Sequence, residues 1–458
     1  MRVITMLAGL ALMATPALAQ KETPPAPGTP KDFRLPPRKT FALPNGLKVT
    51  LVHYGLVPKT AVSLQIETGG IDEAADEVQL SALTADMLLE GTTTRSGSDI
   101  SRQAAEMGGS VFAGSSDNAV GVGGEVLSEN AERYVALLAD VTLRPRFAPA
   151  DVERVRANHA RDNSIAQSQP GPITRAKFRE MLFPDHPYGR VFPPEAMLMG
   201  YGAEKVRAFY ARNYGARRAH LYVSGVFNEA KIERAIRAAF GGWTAGAAAT
   251  VNPPTPVNHR QVQLIDRPDA VQSSLRVGLP VADPSSPDWI RLTVTDALLG
   301  GSFGSRITSN IREDKGYTYS PFSFVGSWPK AGVWIEVADV TTNVTGASIK
   351  EIFGETERLR NEVPSEKELG GIKNNMVGIF TIQNSSRNGV INQLQFVDQY
   401  GLGDAYLAGY VKNVLAVTPA QVQATALKYL DPSRMTITVV GDKKTVEAQL
   451  APYQAGVP

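Results

Sequence analysis

The sequence predicts an α+β protein made of two homologous halves, each with a mixed or antiparallel sheet and helices packed on it. Strand-like and helix-like segments follow one another without the strict βαβ alternation of a parallel α/β fold. In addition, two strand–Gly–helix segments resemble each other, LYVSGVFNEAKIERAI and ITVVGDKKTVEAQL. An internal duplication of about two hundred residues explains this resemblance.

Composition narrows the classes of function. The chain has 458 residues, enough for two or more domains, with 43% apolar and 20% charged residues, as in folded soluble proteins. The formal net charge is only +2, so nothing in the charge balance indicates a nucleic-acid partner. Because the chain has no cysteine, disulfides and thiolate metal sites are excluded, and the five histidines constrain an all-histidine zinc site.

The first 19 residues are typical of a signal peptide. Arg2 gives a positive start, and residues 4–13 form an apolar run too short to span a bilayer stably. Ala17 and Ala19 form the small-x-small pattern that predicts cleavage after Ala19. We expect an exported, periplasmic protein with no membrane contact after processing; the alternative is an uncleaved anchor. Residues 20–37 are Pro-rich and polar, which predicts a flexible leader.

The first half is predicted to be a domain of residues 38–244. Asn45-Gly46 between two apolar runs predicts a hairpin over 41–52. A helix is expected over 79–90, ending at Gly91, and a Gly-rich alternating stretch predicts adjacent strands over 111–126. The other predicted elements are strands over 61–68 and 220–226, and helices over 100–107, 130–143, 149–166, 203–214 and 229–240.

Residues 245–260 are predicted to be a linker, because AGAAATVNPPTP is rich in Ala and Pro and has no apolar period. The second half, residues 261–458, repeats the order of the first. Its predicted strands cover 262–265, 273–279, 333–340 and 435–440. Its predicted helices cover 289–299, 344–362, 419–430 and 443–450, and a further helix opens at Pro364.

Residues 299–320, LGGSFGSRITSNIREDKGYTYS, contain candidate chemistry. Two isoleucines four apart suit one helix face, the helix breaks at Gly316, and two tyrosines then alternate as strand residues do. Arg312 is therefore predicted near a helix end and Tyr319 at the start of a strand. A guanidinium and a phenol hydroxyl could bind one substrate carbonyl together. From spacing alone, a surface Arg and a half-buried Tyr remain the plainer interpretation.

Over nearly all of residues 38–453 the chain resembles the pitrilysin/insulinase family of inverzincin peptidases, and its processing-peptidase-like members. The resemblance implies that the two halves form half of a clam-shell chamber. The motifs that carry it are FALPNGLKVTLV, MGGSVFAGSSDNAVGVGGEVLSEN, YVALLADVTLRPRF, DHPYGR, VQLIDRPDAVQSSLRVGLP and LGGSFGSRITSNIREDKGYTYS.

The resemblance also shows which chemistry is missing. The family's zinc helix has the form H-x-x-E-H, with two His ligands and a Glu base. Here Ala82, Ala85 and Asp86 occupy those three positions. The third ligand would fall near residues 161–163, where Asp162 is the candidate, and two carboxylates alone make a poor zinc site. A misaligned helix is the alternative, but no two histidines lie three to five residues apart anywhere in the chain.

Two classes of function follow from the resemblance. In related peptidases, an Arg and a Tyr seven residues apart bind the substrate backbone, and Arg312 and Tyr319 match them. The chain would then be a non-catalytic subunit, inactive alone and without a cofactor. A homologous partner with an intact H-x-x-E-H would carry the zinc. Peptide substrates are expected to add a strand along the Gly-rich residues 108–125. The alternative is a zinc-less scaffold or peptide-binding protein, with a partner lacking the zinc motif or as a homodimer.

Overall fold

The computed structural model of the chain describes residue 28 and residues 33–454. The predicted signal peptide and most of the predicted leader lie outside this part. Residues 33–454 belong to one compact unit that contains two sheets. The predicted linker, residues 245–260, forms neither helix nor strand and separates the strands of one sheet from those of the other. Within the described part, no helix is long and apolar enough to cross a membrane.

Six strands form the first sheet: β1 (Arg38–Ala42), β2 (Lys48–His53), β3 (Lys59–Ile66), β4 (Phe112–Ser115), β5 (Val120–Leu127) and β6 (Ala219–Gly225). Their order is β1-β2-β6-β3-β5-β4. β2 runs parallel to β6, whereas all other neighbours are antiparallel. β1 and β2 form the predicted hairpin, and Gly46 takes a φ of +98° in its turn, where glycine is favoured.

Five strands form the second sheet: β7 (Gln261–Asp266), β8 (Gln272–Val281), β9 (Phe322–Trp328), β10 (Ala331–Thr341) and β11 (Thr436–Gly441). Their order is β7-β11-β8-β10-β9, and only β7 and β11 are parallel. This order matches β2-β6-β3-β5-β4 of the first sheet, including the place of the parallel pair. The α+β class and the two homologous halves are therefore confirmed.

The helices surround these sheets. Those of the first half are α1 (Leu80–Met87), α2 (Gly97–Glu106), α3 (Ala131–Leu143), α4 (Pro149–Gln167), α5 (Pro170–Leu182), α6 (Glu195–Met199), α7 (Ala203–Asn213) and α8 (Glu229–Phe240). Those of the second half are α9 (Trp289–Leu299), α10 (Arg306–Thr308), α11 (Thr345–Asn361), α12 (Glu366–Gln383), α13 (Arg387–Tyr400), α14 (Asp404–Leu415), α15 (Pro419–Tyr429) and α16 (Lys443–Gln454).

Each sheet buries one face against helices of its own half and the other face against a helix of the opposite half. Val390, Ile391 and Leu394 of α13 pack on Tyr222 and its neighbours in the first sheet. In return, α5 packs its apolar side chains on β8, β10 and β11 of the second sheet. This exchange of helices joins the two halves, because the second face of each sheet is covered only by a helix of the other half.

An ion pair reinforces the contact between α13 and the first sheet. The Arg387 guanidinium donates two hydrogen bonds, of 2.8 and 3.0 Å, to the carboxylate of Glu125 on β5. The Arg387 hydrogen bonds hold the pKa of Glu125 below its ordinary value, although partial burial opposes them. Both side chains are largely buried, so the pair fixes the position of α13 along the sheet.

Candidate functional site

The segment that carries Arg312 and Tyr319 starts where α9 ends, at Gly300. A Cβ atom on this residue would lie 2.5 Å from the Ser323 hydroxyl and 2.6 Å from a carboxyl oxygen of Glu336. These distances are too short for any side chain, so the close approach of the chain to β9 and β10 requires glycine. Gly300 thus allows the end of α9 to lie close to β9 and β10.

The next helix changes its hydrogen-bonding pattern part-way. Ser305 caps α10, because its hydroxyl accepts a hydrogen bond from the Thr308 amide. The helix then continues as a π-helical turn over Ser309–Asp314, which contains Arg312. π-helical turns are rare and are frequent at functional sites, where they shift the side chains that follow. The prediction that Arg312 lies near a helix end is confirmed.

Arg312 and Tyr319 lie next to each other. The guanidinium carbon of Arg312 is 5.2 Å from the centre of the Tyr319 ring and 4.4 Å from the centre of the Phe303 ring. The Arg312 side chain is 22% exposed, whereas Tyr319 is 81% and Phe303 76% exposed. Cation–π attraction of about 0.5–1 kcal/mol at such exposed sites holds the guanidinium beside the rings. The structure brings the two side chains together, and Tyr319 is exposed rather than half-buried as the plainer interpretation had it.

Tyr319 does not begin a strand, which corrects the prediction made from the alternating tyrosines. β9 starts three residues later, at Phe322. Before it, the chain is held by a hydrogen bond from the Tyr317 amide to the Ile311 carbonyl, 2.8 Å long, and by an isolated bridge between Thr318 and Val340. Only Tyr317 and Thr318 are tied down by these contacts, so Tyr319 projects from an irregular segment and stays exposed.

Together these residues form an open pocket of about 320 Å³, which is lined by Gly300, Gly301, Ser302, Phe303, Thr308, Arg312, Tyr319, Ser320, Pro321 and Phe322. Its size falls in the range of ligand sites. The guanidinium and the phenol are donors that can polarise a carbonyl oxygen as charge develops on it. None of the described residues that line the pocket is His, Asp or Glu, so the pocket has no group suited to deprotonating water at neutral pH.

Two buried carboxyl groups lie under this pocket, and sequence reasoning missed both. Asp296 of α9 accepts hydrogen bonds from the Ser323 hydroxyl and from the Trp334 ring N–H, and burial raises its pKa to about 6. Glu336 of β10 is fully buried, and neither of its carboxyl oxygens has a hydrogen-bond partner within residues 33–454. Burial, with Asp296 nearby, raises the Glu336 pKa well above its ordinary value. The signal in the sequence was an acid flanked by apolar residues, as in DALL of α9 and VWIEV of β10.

The predicted zinc helix is α1, and it offers no ligand set. Ala85 is fully buried, and Ala82 is partly buried; neither side chain has an atom that can bind a metal ion. Asp86, which is 47% exposed, instead contacts α4, because its Oδ2 lies 2.7 Å from Nε2 of His159. A direct contact between two side chains therefore joins the two helices at this point.

The structure corrects the prediction that Asp162 of α4 faces α1. Asp162 is 70% exposed and lies near only Arg161, so it does not meet Asp86. Instead, His159 and Asn163, four residues apart and hence on one helix face, lie against α1 and the residue before it. Asn163 accepts a 3.3 Å hydrogen bond from the side chain of Gln79, just before α1. The four-residue spacing of His159 and Asn163 was the signal in the sequence.

The residues at the degenerate site do not fit a zinc ion. Within residue 28 and residues 33–454, no three His, Asp or Glu side chains are grouped so that they could hold a metal. The contact between Asp86 and His159 leaves one imidazole and one carboxylate, whereas zinc sites in proteins use at least three protein ligands. This donor set, rather than any missing ion, is what separates the site from a catalytic one.

Comparison with known proteins agrees with this geometry. A model of the insulinase family, peptidase family M16, matches residues 48–191, and a model of the M16 inactive domain matches residues 201–376. An uncharacterized zinc protease of Mycobacterium leprae is 25% identical over 425 residues, 89% of this chain and 93% of its own length. The uncharacterized zinc protease YmxG of Bacillus subtilis is 23% identical over 76% of this chain and 85% of its own length.

Solved structures show the same fold. An M16 inactive domain from Pseudomonas fluorescens aligns with a TM-score of 0.82 and 22% identity, over 88% of this chain and 98% of its own. A protease from Helicobacter pylori aligns with a TM-score of 0.84 and 17% identity, over 89% of this chain and all of its own. With two family models that follow one another along the chain, the protein belongs to the pitrilysin/insulinase family of peptidases, family M16.

Proposed function

We propose that this chain is the non-catalytic, substrate-binding subunit of a heterodimeric zinc metalloendopeptidase. The observation that supports it most is the pairing of Arg312 with Tyr319 in an open pocket, 5.2 Å from guanidinium carbon to ring centre, in a chain whose α1 lacks zinc ligands. Several relatives carry the name zinc protease, and one solved neighbour is an M16 inactive domain. The signal-peptide pattern of residues 1–19 supports export, and a periplasmic location of the complex is part of the proposal.

In this proposal the two chains divide the work. Arg312 and Tyr319 hydrogen-bond the carbonyl oxygen of a bound peptide and stabilise the charge that develops on it. The partner's zinc supplies the activated water. One of the two edge strands of the first sheet is β4, which lies inside the predicted peptide-binding residues 108–125. An edge strand offers backbone groups to which a peptide can add as a further strand.

Reconstitution tests the proposal. We expect no cleavage of an unstructured peptide by this chain alone, and cleavage after mixing with an exported M16 homologue from the same host that has an intact H-x-x-E-H motif. The partner alone should cleave far more slowly than the mixture. Equal cleavage by the partner with and without this chain, in a complex that does form, would support the scaffold alternative instead.

A designed site tests whether α1 is the degenerate zinc helix. Ala82→His and Asp86→His place two imidazoles four residues apart on α1, and Asn163→Glu adds a carboxylate from the facing side of α4. We expect the triple variant to retain about one zinc per chain after gel filtration, as measured by metal analysis. The single variant Asp86→His is the control and should retain far less. A folded triple variant without zinc would contradict the placement of the site.

A further inference from the structure

A second cavity, of about 450 Å³, lies away from Arg312 and Tyr319. It is lined mainly by the first sheet, α13 and residues 249–252, and also by other segments that contribute Asp72, Asn118 and Pro329. Because α13 comes from the second half, both halves and the segment between them contribute walls. Ligand sites form preferentially at such junctions, and the volume is in their usual range.

The floor of the cavity is a row of side chains across the first sheet. In the strand register, Lys48 of β2 pairs with His220 of β6, and His220 pairs with Gln65 of β3. Residues paired across neighbouring strands share one face of the sheet, so these three side chains lie side by side. On the opposite wall, α13 contributes Gln395 and Gln399, whose amides can hydrogen-bond a peptide group.

Several of the ionisable groups in the cavity are already satisfied. Asp398 of α13 accepts a 2.6 Å hydrogen bond from the Tyr222 hydroxyl and lies 3.2 Å from Nδ1 of His220. Burial raises the pKa of Asp398, but these two hydrogen bonds outweigh it, so the net pKa lies below its ordinary value. Both carboxylate oxygens of Asp72 accept a hydrogen bond from the Arg218 guanidinium, each 3.1 Å long. These pairs serve the structure and leave no charge free for a ligand.

Lys48 and Glu67 are different. Both line the cavity and both are exposed, yet neither forms a salt bridge with any residue between 33 and 454. Lys48 is on β2, while Glu67 directly follows β3, and β6 lies between these strands. Gln65 of β3 is level with Lys48 in the strand register, and Glu67 lies two residues further along, so the two backbones are about 12 Å apart. The cavity thus presents one cation and one anion on backbones that the sheet holds at this separation.

From this arrangement we propose that the cavity binds a short peptide with a free amino and a free carboxyl group, of about dipeptide size. Two extended residues span about 7 Å, and the long side chains of Lys48 and Glu67 cover the remaining distance to the two charged ends. A single amino acid has both charges on one carbon, too close for that separation. Lys48 binds the carboxylate, Glu67 binds the ammonium, and the glutamine amides of α13 bind the peptide group between them.

Calorimetric titration of the isolated chain with L-alanyl-L-alanine tests the proposal without any partner subunit, so its result is independent of the proposed peptidase role. We expect saturable binding, at least tenfold weaker for the N-acetylated dipeptide, for the C-terminal amide and for free alanine. Lys48→Met should weaken binding of the free dipeptide at least tenfold and remove the further effect of amidation. Glu67→Gln should do the same for acetylation. Both side chains are exposed, so folding should be retained.

Lys412→Met, at an exposed lysine of α14 outside the cavity, is the matched control and should bind the dipeptide as the unmodified chain does. Circular dichroism confirms that each variant is folded. Absence of binding at millimolar dipeptide would overturn the proposal. So would equal affinity for alanine or for the blocked dipeptides, or unchanged affinity in both the Lys48 and Glu67 variants.

Discussion

Replacing Arg312 by Ala, or Tyr319 by Phe, lowers kcat of the reconstituted two-chain peptidase by about a hundred- to a thousand-fold, the range for loss of one oxyanion-type contact. The reason is that each residue donates to a carbonyl oxygen whose negative charge grows only in the transition state. KM should change much less, because the same contact is weak in the ground state. Tyr319→Phe removes only the hydroxyl and leaves the ring that lies 5.2 Å from the guanidinium carbon.

Steady-state kinetics of the purified complex measures this effect, with zinc content determined in parallel. Arg133→Ala, at an exposed arginine of α3, is the control and should leave kcat unchanged. Gel filtration shows whether each variant still associates with the partner. If the double variant Arg312→Ala/Tyr319→Phe associates normally and cleaves at the original rate, the pair plays no part in substrate binding, and the scaffold interpretation is preferred.

Glu336→Gln removes a loss of stability that the unmodified chain undergoes as pH rises, so the difference in the free energy of unfolding shifts in favour of the variant with increasing pH. Burial holds the Glu336 pKa well above its ordinary value, so the folded state keeps a proton that the unfolded state loses above about pH 4.3. A raised pKa of an acid makes the free energy of unfolding fall as pH rises, until the folded pKa is passed. Between the unfolded and the folded pKa of Glu336, each pH unit lowers the free energy of unfolding by about 1.4 kcal/mol. The variant does not show this loss, because glutamine has no such proton to lose.

Urea unfolding between pH 6.5 and 8.5 measures this difference. Asp296 has a pKa of about 6 in the fold, so its own contribution, of the same sign, is mostly complete below this window. Glu132→Gln, at an exposed glutamate of α3, should leave the pH profile unchanged. Parallel profiles for the unmodified chain and Glu336→Gln would show that Glu336 is not a buried neutral acid. If the variant is folded but less stable, a stability difference that shifts in its favour as pH rises would still support the raised pKa of Glu336.

Sequence reasoning was most successful where a local signal sets the structure. The Asn45-Gly46 hairpin, the Gly-rich strand pair and the helix before Gly300 all follow from turn chemistry and side-chain periodicity. The duplication was also visible, because the closing strand–Gly–helix unit of each half is local. The second sheet also repeats the order β2-β6-β3-β5-β4 of the first sheet, and no single segment of the sequence could reveal this.

The elements that were missed depend on tertiary contacts. α5 and α13 are stabilised by packing on the sheet of the opposite half, and α13 exposes several Asn and Gln side chains that hide its apolar face in the sequence. β9 has only seven residues, follows a proline and contains Gly326, so its strand signal is weak. Its partner β10 is what makes it a strand.

The candidate site was predictable in its residue types but not in its shape. The seven-residue spacing of Arg312 and Tyr319 indicated a pair, yet the π-helical turn and the irregular segment that bring them together depend on Gly300 and on contacts with β10. The contact between Asp86 and His159 joins residues 73 positions apart, so only the packing of α1 on α4 shows it.

Zinc analysis of the chain, purified alone and as the complex with its partner, tests the division of labour most directly. The account predicts no retained zinc on the isolated chain, about one zinc per heterodimer, and chelator-sensitive proteolysis only in the complex. One tightly held zinc per isolated chain, with proteolysis that a chelator abolishes, would contradict it.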